Sequence, residues 1–159
     1  MRARLTAFVL LAASVAVPAH AQDARTPIDA VDAFHRALTQ NNTAGALSLL
    51  ARDLIVFEFG VVDPTLEQYA FAHMPFDMNI AAATQWKIET RRMGGGGDDW
   101  WVVTTYRVTG TDKQGRPIDN TTLETAVLRR TSGAFRIVHI HWSTNDPAFN
   151  AQVPGAAAR

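Results

Sequence analysis

From Thr84 to Ser143 the chain consists of four strand-length runs: Thr84 to Met93, Asp99 to Thr109, Ile118 to Arg130 and Ala134 to Ser143. Gly94 to Gly97, Lys113-Gln114-Gly115-Arg116 and Ser132-Gly133 separate them. Connections this short join antiparallel neighbours, because a parallel crossover needs a dozen or more residues. The second half of the chain therefore reads as a meander, and whatever helices the fold has must come before it.

Upstream the pattern is helical. Thr26-Pro27 reads as N-cap and first helical position, and Ile28, Val31, Phe34 and Leu38 follow at helical spacing up to Gln40-Asn41-Asn42. Thr43 can cap a short second helix through Ala46, Leu47, Leu49 and Leu50, weakened by Gly45. Leu54 to Phe59 is β-branched and aromatic, hence a strand punctuated by Gly60, and Asp63-Pro64 marks a turn. Thr65 and Gln68 have capping-box spacing, so Leu66 to about Met74 is a third helix, broken at Met74-Pro75 and continuing as a turn toward Ala83. Helices followed by a meander define an α+β order.

Met1 to Ala21 has the parts of a secretory signal: Arg2 and Arg4, an apolar run from Leu5 to Val17, and Ala19-His20-Ala21 as a small-x-small cleavage site. A periplasmic or secreted location is the expectation. The apolar run is shorter than the roughly 20 residues of a membrane span, so no membrane association is expected after cleavage. Residues 22–26 then form a linker, 27–145 a single domain, and 146–159, with Pro147, Pro154, Gly155 and three alanines, a disordered tail. Removing the two signal arginines turns a chain of 15 basic and 15 acidic residues into one of net charge about −2, which gives no reason to expect nucleic acid as a partner. The absence of cysteine excludes disulfides, thiolate nucleophiles and Cys-bound zinc.

The segment Glu124-Thr125-Ala126-Val127-Leu128-Arg129-Arg130, the Ser132-Gly133 turn and Ile137-Val138-His139-Ile140-His141 are similar to the C-terminal strands of one branch of the NTF2-like superfamily. That is the SnoaL-like and calmodulin-dependent kinase association (hub) branch, and Phe57-Glu58 before a helical Tyr69-Ala70-Phe71 resembles it too. The resemblance covers most of residues 27 to 143 and implies a cone in which N-terminal helices pack on a curved antiparallel sheet. It is weak on function, because the superfamily includes polyketide cyclases, ketosteroid isomerases, scytalone dehydratases and oligomerisation modules. Where hub domains carry cavity arginines this chain has Ala126 and Trp142, and neither Tyr69 nor Tyr106 sits in an isomerase motif.

Six residues stand out as a candidate site. Glu58 interrupts an apolar strand, where burial among Val56, Phe57 and Phe59 would raise its pKa and make it a base, with a histidine such as His73 as proton donor. Glu124 lies inside a strand and needs a basic or hydroxyl partner, Arg107 for instance. His139 and His141 leave the same face of their strand about 6.6 Å apart, placed to bind a ligand beside Trp142. With His73 or Glu58 as a third ligand the pair could also hold a metal; no metal or cofactor is assigned. His35 reads as a boundary residue of the first helix. Trp86, Trp100, Trp101, Phe135 and Trp142 concentrate aromatic area on the sheet, so one face lines a cavity and the other pairs with a second copy in a homodimer. The sequence thus points to a small-molecule binder, or a cofactor-independent lyase, isomerase or cyclase. Its alternatives are a dimeric assembly module without catalysis and a metal-binding protein using His139 and His141.

Overall fold

The computed structural model describes residues 24–112, 115–151 and 153–155. The proposed signal and the first two residues of the linker therefore lie outside the described residues. Helix α1, Pro27–Thr39, starts in a capping box: Thr26 Oγ1 accepts from the Asp29 amide at 3.1 Å, and Asp29 Oδ2 accepts from the Thr26 amide at 3.2 Å. Asn42, rather than Thr43, caps α2 (Thr43–Leu49), through Oδ1 on the Gly45 amide at 2.9 Å. Strand β1, Leu50–Glu58, begins four residues before the apolar run that marks it. Phe59 (φ 46°) and Gly60 (φ 92°) then form a two-residue turn into β2, Val61–Asp63. Two successive positive-φ residues are what a tight hairpin needs. A strand stands where Asp63-Pro64 suggested only a turn.

Thr65 caps α3, Leu66–Ala72, by accepting from the Gln68 amide at 3.2 Å. Beyond it Met74–Ala83 is a full helix, α4, rather than a turn. Pro75 falls in its first turn, where a missing N–H costs nothing. The meander follows as β3 (Thr84–Gly96), β4 (Asp99–Thr111), β5 (Pro117–Thr131) and β6 (Ala134–Thr144). Three of the four glycines expected as a loop belong to β3: Gly94 pairs with Trp101 and Gly95 with Trp100. A Cβ on Gly94 would lie 2.4 Å from the Trp101 ring, so glycine leaves room for that indole.

The sheet order is β2-β1-β6-β5-β4-β3, antiparallel except where β1 runs parallel to β6. Helix α1 packs on its inner face against β4 and β6, beside α2 and α4. There Phe34 stacks on Trp142, ring centroids 6.3 Å apart; burying a side chain of this size contributes about 1.5–3 kcal/mol. Inner-face residues alternate regularly: Val102, Thr104, Tyr106 and Val108 on β4, and Asn120, Thr122, Glu124, Ala126 and Leu128 on β5, are all buried. Among the described residues no helix is long and apolar enough to cross a membrane.

Strand β6 breaks this alternation, with consequences for the site. Its pairing with β5 shifts between Leu128↔Ile137 and Val127↔His139, leaving Val138 as one extra residue. A one-residue bulge reverses the facing of everything beyond it. Phe135 and Ile137 point inward before the bulge, Ile140 and Trp142 after it, and His139 and His141 are turned to the outer face.

The tail differs from expectation over its first residues. Asp146 Oδ1 accepts from the amides of Ala148 (2.9 Å) and Phe149 (3.2 Å), Pro147 takes the first helical position, and Pro147–Asn150 forms a short helix, α5. Phe149 and Val153 are buried. Apolar burial with a cap orders a segment whose composition reads as unstructured.

Candidate active site in the cone

The inner face of the sheet, α1 and α4 enclose a small cavity of about 20 Å³. Glu58, Asp77 and His35 supply its polar wall; Phe59, Phe76, Trp86, Trp142 and Phe149 are among the rings around it. That volume holds about one water molecule.

Glu58 reaches the cavity because Leu54, Val56 and Glu58 share the inward parity of β1. It is 1% exposed, and no N–H or O–H of a described side chain or backbone donates to either of its oxygens. Burial, then the nearby Asp77 carboxylate, push its pKa well above the ordinary carboxylate range. The two carboxyl groups are within hydrogen-bonding reach, an arrangement that holds only with a proton between them. Burial is the larger cause at Glu58, which is the member kept protonated. Asp77 also accepts from the Tyr69 hydroxyl at 2.7 Å; burial raises it to about 6, with the Glu58 and Tyr69 hydrogen bonds acting against the rise.

His73 lies behind this pair. Its Nδ1 is 2.5 Å from Asp63 Oδ2, and its Nε2 is 2.6 Å from the carbonyl oxygen of Pro154, to which it must donate. Ligating atoms of Glu58, Asp63 and His73 come within 4.8 Å of one another, close enough to converge on a metal ion. Both imidazole nitrogens are already engaged, however, so a metal would have to displace the Asp63 contact. His73 does not line the cavity.

Behind the lining residues His35 and Trp142 a second buried glutamate, which does not itself line the cavity, is held in the other charge state. Glu124 Oε2 is 2.6 Å from His35 Nε2 and accepts from Trp142 Nε1 at 2.7 Å, while Oε1 accepts from the Tyr106 hydroxyl at 3.3 Å. Burial pushes Glu124 up, but the His35 charge and hydrogen bond, then Trp142 and Arg91, outweigh it and leave the carboxyl below its ordinary value. Arg91 extends the network, donating to Tyr106 (3.0 Å), Thr104 (3.1 Å) and Asp32 (2.7 Å). His35 and Trp86 also border an outer cleft of about 590 Å³ between α1 and β3, floored by Tyr106 and Arg91.

Of the six residues singled out in the sequence, Glu58 and Trp142 line the cavity, while Glu124, bonded to Trp142, and His73, near Glu58, lie behind its wall. His139 and His141 are separated from them. They stand on the outer face with centroids 5.0 and 6.1 Å from the Phe57 ring, and His139 Nδ1 contacts the Ile55 carbonyl at 2.9 Å. The bulge at Val138 is the reason, and a metal site joining this pair to His73 or Glu58 is ruled out by facing. Arg107 pairs with Asp119 at 2.6 Å, not with Glu124. His35, Asp63, Tyr69, Asp77 and Tyr106 complete the networks. Of these only His35, beside the apolar stripe of α1, carried a sequence signal, and that signal read as a boundary residue.

A crystal structure from Shewanella frigidimarina NCIMB 400, provisionally titled a ketosteroid isomerase, is 30% identical, with a TM-score of 0.69 over 77% of this chain and 97% of that one. The S. rosetta CaMKII hub (20% identity, TM-score 0.63, 80% of this chain and 99% of that one) shares the fold. So does the association domain of C. elegans CaMKII (16%, 0.59, 73% and 91%). No curated protein matches the sequence. Residues 28–147, which carry both buried networks, match the SnoaL-like domain, and the chain belongs to that family.

Proposed function

We propose that this is an exported domain that binds a small, largely apolar ligand in the cone and moves a proton on it without a cofactor, as a lyase, isomerase or cyclase does. One observation carries the reading. One buried glutamate lines the cavity and is kept protonated by burial beside a second carboxyl; another, ionised, lies behind the wall and holds the lining His35 and Trp142. Environments that drive two carboxyl groups apart assign the acid and the base. This reverses the expectation that Glu58 is the base: a carboxyl kept protonated is a donor.

With a ketone bound, neutral His35, its Nε2–H donated to Glu124, takes a proton at Nδ1 from the carbon next to the carbonyl, and Glu58 donates its proton to the carbonyl oxygen. An enol results, with no net change in protons. Returning a proton to a different carbon completes an isomerisation; expulsion of a leaving group completes an elimination. Glu124 holds the imidazole in place and balances its positive charge. The 30% identity to a protein titled as an isomerase supports this class of chemistry without naming a substrate.

The test is deuterium incorporation at the carbon next to the carbonyl in a panel of cyclic ketones, followed by NMR. Wild-type protein is expected to exchange at least 100-fold faster than Glu58→Gln or His35→Gln. Equal rates in all three would overturn the proposal.

A second reading, self-association, has its own observation. The outer sheet face exposes Ile55 (41%), Phe57 (41%), Trp101 (41%) and Leu123 (51%), with His139 and His141 among them. Apolar area of this extent on a sheet face suits pairing with a second copy, and two of the similar structures are titled as association or hub domains. Sedimentation should show a dimer that Phe57→Lys dissociates; a wild-type monomer at micromolar concentration removes this reading.

A further inference from the structure

The cavity is too small for the function proposed for it. Ligand pockets run to about 300–1,000 Å³, and about 20 Å³ is open here. Most of the wall comes from strands and helices that cannot leave without breaking the fold. Apart from Phe59, in the turn between β1 and β2, the exception is Phe149, on the four-residue helix α5 beyond the end of the sheet.

Phe149 is 4% exposed and packs with Ile80, Tyr106, Val108 and Ile118. Its ring lies edge-on to Phe59, centroids 5.3 Å apart, and tilted to Phe76 at 6.5 Å. It lines the same cavity as Glu58, Asp77 and His35. The bonds from this segment to Thr144 at the end of β6 are long: 3.4 Å from the Asp146 amide to Thr144 Oγ1, and 3.5 Å from Asn150 Nδ2 to the Thr144 carbonyl. Farther along, Val153 is buried and the Pro154 carbonyl is held by His73 Nε2.

We propose that Phe149 occupies the ring-binding part of the ligand site, and that the ligand is a planar apolar ring system bearing a hydrogen-bond acceptor at one edge. Such a molecule replaces the Phe149 ring between Phe59 and Phe76 and puts its acceptor against Glu58, whose oxygens have no hydrogen-bond partner among the described residues. An apolar cavity of about 150 Å³ accepts a benzene ring, so removing one phenyl group opens space of the right order. Ligand entry therefore displaces α5 and, with it, the His73–Pro154 bond, which makes the segment a plug that competes with the ligand. The inference rests on the reading of the cavity as a ligand site.

The full-length protein tests it with 2-acetylnaphthalene, a flat ring with one acceptor, and naphthalene, which has none. Binding is read from quenching of tryptophan fluorescence. Phe149→Ala is expected to bind 2-acetylnaphthalene at least tenfold tighter than wild type, and Glu58→Ala to lose the preference for it over naphthalene. In wild type, saturating probe should speed hydrogen exchange at the Phe149 and Ala151 amides while β4 and β5 stay protected.

A folded Phe149→Ala variant that binds no tighter overturns the plug. If that variant does not fold, α5 amides that stay protected in probe-saturated wild type overturn it instead. Tighter binding without any deuterium exchange into the ketone would leave the plug standing and remove the proton-transfer reading, so the two failures are distinguishable.

Discussion

Glu58 and Glu124 are the same side chain on the same inner face of one sheet, 1% and 3% exposed, yet they are held in opposite charge states. Burial penalises the ionised form at both. What separates them is the supply of donors. Glu124 has the Trp142 indole, the Tyr106 hydroxyl and the His35 imidazole around it, whereas Glu58 faces the carboxyl of Asp77 and, farther off, Asp63. Burial alone does not fix the state of a buried acid; the hydrogen-bonding partners decide it. In this fold those partners come from different elements, α1, β4 and β6 for Glu124 and α4 for Glu58.

The contrast is broken most severely by removing the ionised member. Glu124→Ala strands three donors in a dry interior. Loss of one partner of a buried ionic network costs about 3–5 kcal/mol, and urea denaturation should show a loss of that size. Glu58→Ala removes a group to which nothing donates and should cost clearly less, about 1–3 kcal/mol, the range for a lost buried hydrogen bond and a small cavity. Equal costs would mean that the donors around Glu124 contribute little.

The next effect is a difference in pH dependence. Glu58 and Asp77 are raised in the folded protein, so their contribution to stability is complete below their unfolded values and is lost as pH rises through the folded ones, through about 6 for Asp77. Glu124 is lowered, so its contribution is present above its unfolded value and is lost as pH falls through the folded one. Stability should therefore peak on the acid side of neutrality. Glu58→Gln, which cannot ionise, should flatten the alkaline limb. The variant should therefore be more stable than wild type on the alkaline side, where wild-type Glu58 must ionise in a buried site. Glu124→Gln should flatten the acid limb instead. Thermal melts across pH check both, and a Glu58→Gln profile parallel to wild type would show that Glu58 ionises normally.

Much of this architecture was legible in the chain, and the gaps have physical causes. The meander and α1 follow from turn residues and helical period, and Glu58 stood out as a charge on an apolar strand. Asp77 and Tyr69 did not, because their meaning depends on α3 and α4 being juxtaposed over β1, which no local pattern encodes. Pro75 made the start of α4 look like a break when it is a permitted first-turn position. The His139/His141 pair was misplaced for a subtler reason. Strand parity is reliable only between bulges, and nothing in Ile137-Val138-His139 announces that Val138 is the extra residue. Phe149 was lost among prolines and alanines whose composition reads as tail.

Trp142 offers a smaller test of the donor argument. Trp142→Phe keeps most of the stack on Phe34 and removes only the indole N–H that Glu124 accepts at 2.7 Å. Hydrogen bonds to charged groups contribute about 1.5–3 kcal/mol, and His35 and Tyr106 remain, so a loss of about 1.5 kcal/mol is expected. The acid limb of the stability profile should move to higher pH, because Glu124 would protonate more readily. A loss without that movement would assign the cost to packing.

The smallest effect belongs to the outer face, where the comparison is between two histidines and two glutamates on the same sheet. His141 is exposed and meets the Phe57 ring edge-on, and His139 adds one contact to a carbonyl of the neighbouring strand. Surface substitutions of this kind fall within about 0.5 kcal/mol. His139→Ala and His141→Ala should therefore leave the monomer's denaturation midpoint and the ketone exchange rate unchanged. If the outer face pairs two copies, they should still shift the sedimentation equilibrium at low protein concentration. A tenfold loss of exchange in either variant would mean that the outer face communicates with the cavity through the bulge at Val138.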